Sequence, residues 1–189
     1  MALNIKNIGN QVCEPVGAFA IEVLIGLKSD FATIAKPKQI CSDSGNAAST
    51  FEELGKITLN HTMKSGKKLF KMKMVSESTG LVSTQIGEKS RRLFENTLTG
   101  TVPGSDAAIL GAMRFLKNQD LIVFAKEFGS ENYRQLGSES LPAWVESNEG
   151  TIEATVEGNN AFTIAFKDKS FGPAPIYAGT LPDVYTDSE

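Results

Sequence analysis

Chemistry-bearing residues are scarce in this 189-residue chain: one histidine (His61), one tryptophan (Trp144) and two cysteines (Cys13 and Cys41). No CxxC pair, neighbouring histidine or cluster of spaced carboxylates accompanies the cysteines, so no metal-binding pattern emerges. A Walker loop, a GxGxxG turn and a G-x-S-x-G nucleophile elbow are all missing from the sequence. His61 lies inside an apolar-polar segment, KITLNHTM, where a structural role outweighs a catalytic one. Acidic pairs such as Glu52-Glu53, or Glu146 with Glu149, are explained by surface charge. The sequence therefore predicts no enzyme, no cofactor and no bound metal. No apolar run approaches the roughly 18 residues of a membrane helix. The most apolar stretch, Val16 to Leu27, is interrupted by Glu22 and lacks the basic flank of a signal peptide. A soluble, cytoplasmically made chain is expected, in which reduced thiols at Cys13 and Cys41 outweigh a disulfide between them.

What is present is ordinary globular material, 41% hydrophobic and 22% charged, enough for one domain with a core. The net charge of −3 is unevenly spread: residues 1–118 carry a net +5 and residues 119–189 a net −8. Such a distribution suits a molecule with opposite poles that stacks head to tail, although unequal solvated faces also produce it.

Period-two alternation dominates the patterning. In GAFAIEVLIGLK, Phe19, Ile21, Val23, Ile25 and Leu27 point one way and Ala18, Ala20, Glu22, Leu24 and Lys28 the other. The mixed second face fits either a neighbour or lumen, or partial cover within one chain. From Gln119 to Tyr177 a meander of strands is expected. Ile122, Phe124 and Phe128 face opposite to Val123 and Ala125, and Gly158-Asn159-Asn160 supplies hairpin chemistry through positive φ. Trp144, next to Pro142, is a candidate core residue. A further hairpin is expected over KITLNHTMKSGKKLFKMKMVSES, turning at Ser65-Gly66, with Phe70, Met72 and Met74 inward and the lysines outward. Leu81 to Val102 gives a loop and strand pair. One helix is predicted in PGSDAAILGAMRFLKN, capped by Ser105 or Asp106, with Ile109, Met113 and Leu116 as its apolar stripe. Ser29 to Gly55 has no sustained period, yet holds Phe31, Ile34, Ile40, Phe51 and Leu54. A loop packed on a partner subunit fits it better than a self-packed one.

The helix leading into DLIVFAKEF, the hairpin ending in YRQLG, then LPAWVES, NNAFTIAF and FGPAPIY follow an order of features. Over residues 104 to 177 this order resembles the major tail tube proteins of long-tailed bacteriophages. The resemblance implies a mainly β fold, a sandwich or barrel with one flanking helix. It implies one domain over 1–189, with an N-terminal arm (1–15), a long loop (29–55) and a C-terminal arm (178–189). It further implies a virion protein forming stacked hexameric rings that meet other tail proteins and let DNA pass without specific binding, away from any membrane. Phe31, Ile34, Ile40 and Phe51 are then candidate inter-subunit contacts. Removing residues 29–55 is expected to abolish polymerisation yet leave the monomer folded. The rival readings are a monomeric β-sandwich recognising carbohydrate or a host surface, and a small hydrolase using His61.

Overall fold

The computed structural model describes residues 17–41 and 46–186. The segment FAIEVLIGL forms β1 (Phe19–Leu27), whose alternation places Val23 and Ile25 on one side and Leu24 on the other. It lies antiparallel between β5 (Phe70–Lys73) and β8 (Leu121–Glu127). β8 is buried from Leu121 to Ala125 on both faces, which marks it as a central strand. With β3 (Lys56–Ile57), β9 (Tyr133–Leu136) and β12 (Ile176–Tyr177) these strands make a six-stranded sheet, ordered β3-β12-β9-β8-β1-β5.

A second, four-stranded antiparallel sheet is formed by β6 (Gly80–Ile86), β7 (Leu93–Pro103), β10 (Trp144–Ile152) and β11 (Asn160–Ser170), in the order β10-β11-β7-β6. β2 (Phe31–Thr33) and β4 (Thr62–Met63) pair as a short ribbon. The architecture is mainly β with one principal helix, α2 (Ala107–Leu116). The Asp106 side chain caps that helix by accepting from the Ile109 N–H, satisfying a donor that the first turn leaves open.

Two cores result. The first lies between the sheets: Val23, Ile25, Met72, Met74, Leu121 and Val123 face Leu98, Val102, Ile164 and Phe166, with Met113 and Leu116 of α2 closing it. The second covers the opposite face of the six-stranded sheet, where Phe31, Ala35 and Tyr177 lie over Leu24, Ile122 and Phe124. Among the described residues, the six-stranded sheet is thus covered on both faces and the four-stranded sheet on one.

The region 29–55 departs from expectation. Phe31 packs so closely over Gly26 that a Cβ there would sit 2.6 Å from its ring. Gln39 bridges Ala47, and α1 (Phe51–Gly55) is capped by the Thr50 side chain. Glu53 accepts from the Ser49 N–H, the Ser49 hydroxyl and Lys38, and these partners, Lys38 foremost, hold its carboxyl down to about 2. Self-packing wins because Phe31 and Ala35 are needed to bury Phe124 and Ile122. Deleting the region would take Phe31 and Ala35 out of the second core, so loss of monomer stability is the outcome to expect instead.

The expected hairpin around Ser65-Gly66 is also corrected. Its turn exists, with Lys67 N–H bonded to the Lys64 carbonyl and Gly66 at φ +75°. Its strands part company, β4 joining β2 and β5 joining β1. β10 stops at Ile152, leaving 153–159 as a loop in which Gly158 avoids positive φ. The C-terminal segment, expected as an arm, packs on its own chain through residue 185: Leu69 donates to the Asp183 carbonyl and accepts from Tyr185 N–H, while Leu181 and Val184 touch the second core. Residues 1–15, and Cys13 with them, lie outside the described residues; Cys41 is an exposed free thiol.

Candidate functional site

Three places concentrate unusual chemistry. The first is His61, just ahead of β4 and 4% exposed. Its Nδ1 accepts from the Ala35 N–H at 2.9 Å, so Nδ1 carries no proton. The proton therefore sits on Nε2, 2.8 Å from Gln135 Oε1. Burial pushes the imidazole below its ordinary value, with the Gln135 bond opposing in part. Both ring nitrogens are engaged within the chain, and the ring is enclosed by Phe31, Phe124 and Tyr177. This arrangement ties β2's outgoing chain to β9 and β12; neither nitrogen is left to act on a substrate.

The second is Asp168, 2% exposed, on β11. Its Oδ1 accepts from Asn96 Nδ2 and its Oδ2 from the Gly137 N–H, both at 2.8 Å. Asn96 also donates to the Ser170 hydroxyl and accepts from the Ala174 N–H. Burial raises the carboxyl above the usual carboxylate range, against the pull of the Gly137 and Asn96 donors. Facing only neutral donors, this carboxylate fastens the turn after β9 to the four-stranded sheet.

The third is the side of the four-stranded sheet that the described residues leave uncovered. Thr97, Thr99, Thr101, Thr163 and Lys167 alternate outward against the inward Leu98, Val102, Ile164 and Phe166. Lys167 bridges Glu146 at 2.8 Å and Glu95 at 3.4 Å across that face. The two edge strands, β6 with seven residues and β10 with nine, have no strand partner on their outer sides among the described residues. Long unpaired edges are templates for another chain.

The candidate contacts separate into two pairs. Phe31 is buried in the second core, and Ile34 packs against it while staying half-buried. Ile40 and Phe51 are exposed, at 69% and 39%. Trp144 is half-buried, its indole N–H donating to Glu146. Among the described residues no group of His, Cys, Asp and Glu is placed to hold a metal, and no helix is long and apolar enough to cross a membrane. The partners of His61 and Asp168 were invisible beforehand, because they stand 26 to 116 residues away in sequence. No family model, curated protein or solved structure matches the chain.

Proposed function

We propose that this chain is a structural virion protein that assembles into stacked hexameric rings, forming a tail tube through which DNA passes. The observation that carries the reading is the four-stranded sheet, whose two long edges are unpaired among the described residues. Edge-to-edge pairing between β6 of one copy and β10 of the next continues the sheet around a ring and removes its exposed edges. The mainly β fold with a single flanking helix supports the same reading, as does the outward face of threonines and bridged charges, where Trp144 is tied by its indole N–H to Glu146. The buried environments of His61 and Asp168 support a scaffold over a catalyst.

Light scattering with negative-stain imaging of the purified protein tests the proposal. Rings or tubes are the expected result, and their symmetry checks the hexamer. Val82→Lys with Thr84→Lys, placed on the β6 edge, is expected to block ring closure while the fold survives. A strictly monomeric protein at high concentration moves the reading to a binding module.

A further inference from the structure

The two halves of the sequence are not the poles of the molecule, because their strands interleave in the six-stranded sheet. In the four-stranded sheet they stay apart. The β6–β7 tip, residues 87–92, reads GEKSRR, three bases and one acid. The β10–β11 tip, residues 153–159, reads EATVEGN, two acids and no base. Register puts these tips at opposite ends of the sheet: Leu93 follows the first tip, and Pro103, at the far end of β7, pairs with Ala161 beside the second. Eleven residues of β7 separate them, roughly 35 Å at strand rise.

Both tips are shaped by backbone hydrogen bonds, Arg91 N–H to the Glu88 carbonyl at one and Gly158 N–H to the Thr155 carbonyl at the other. Arg92 bonds Gln85, leaving Lys89 and Arg91 at the apex. Apolar side chains accompany the charge. The three most exposed large hydrophobics among the described residues are Val156 (106%), Phe171 (84%) and Ile152 (72%). Val156 lies within the acidic tip and Ile152 just before it, while Phe171 follows Ser170, which pairs with Phe94 beside the basic tip. Each end therefore offers an apolar centre with a net charge, positive at one and negative at the other, and the two ends complement one another.

We infer that copies of this chain dock end to end, the basic tip with Phe171 of one copy against the acidic tip with Ile152 and Val156 of the next. The contact joins different surfaces, so it does not close on itself and propagates along the strand direction. This inference rests on the proposed assembly and assigns its axial contact.

Two variants test it: Lys89→Glu with Arg91→Glu makes both ends acidic, and Glu153→Lys with Glu157→Lys makes both basic. Each alone is expected to lose end-to-end assembly in sedimentation and negative-stain images, and an equimolar mixture to regain it by alternation. Wild-type association is expected to weaken by about tenfold or more between about 0.1 M and 1 M salt, as the screening length falls from about 10 Å to 3 Å. Wild-type tubes matched by tubes from either variant alone would overturn the axial contact and leave the proposed function standing. Single rings that never stack would likewise overturn it. A wild-type protein that never associates would overturn both.

Discussion

His61 and Tyr177 stack ring on ring, 4.4 Å between centroids and 6° between planes, while the Tyr177 hydroxyl accepts the His61 backbone N–H at 3.0 Å and donates to the Thr180 carbonyl. One pair of residues thus joins the chain entering β4 to the chain leaving β12, 116 positions apart.

His61→Ala strips the partners from the Ala35 N–H and Gln135 Oε1, and is expected to cost about 2–4 kcal/mol. The imidazole's folded-state value is depressed below 6.5, so the unfolded chain takes up its proton first. The stability His61 contributes is therefore full above about pH 6.5 and declines as pH falls through that value. Urea midpoints of wild type and variant should lie further apart at about pH 7.5 than at about pH 5.5.

Asp168→Ala leaves the Gly137 N–H without its acceptor, at an expected cost of about 1–3 kcal/mol. The pH dependence runs opposite to that of His61. Asp168's folded-state value is raised above 3.8, so wild type gains stability as pH falls towards 3.8 and the gap to the variant widens. Denaturant titrations across that window, with amide exchange at Gly137, measure both effects.

Gly137→Ala meets backbone on two sides, Leu121 O at 2.5 Å and Ala143 N at 2.7 Å, from a backbone at φ +88°. Gly66→Ala shares the left-handed φ but faces open space. The second should cost about 1–2 kcal/mol through conformation alone; the first should cost more, because backbone must move. Thermal melts of the two variants compare strain with and without a clash.

Phe31→Ala is expected to cost about 3–5 kcal/mol, since the ring covers the second core. Ile40→Asp and Phe51→Asp should leave monomer stability within about 0.5 kcal/mol, because both side chains are exposed. Any loss of assembly in those two variants reports a contact between copies. Scattering on folded variants reads it.

The alternation in FAIEVLIGL and AFTIAF made the strands legible, because period-two burial is written locally. The α2 stripe and its Asp106 cap were equally plain, and Met72 and Met74 face the core as their spacing indicated. Phe31 joins the second core, and nothing near it in the sequence shows that Phe124, some 90 residues on, needs cover. The same distance hid the division of the lysine-rich hairpin between two different strands. Gln135, Asn96 and Asp168 looked like ordinary polar positions, since hydrogen-bond partners carry no local pattern. The uneven charge was visible, but its placement on two hairpin tips depends on register.

The position of β1 between β5 and β8 sets a timetable for synthesis. β1 ends at Leu27 and β8 begins at Leu121, so half of its ladder waits for about another hundred residues. At 5–20 residues per second that delay is roughly 5–20 s. During it, one of the chain's most apolar strands carries at most one neighbour, β5. A nascent chain of this kind depends on whatever shields FAIEVLIGL until the central strand arrives, and crowded, rapid production would test that shielding first.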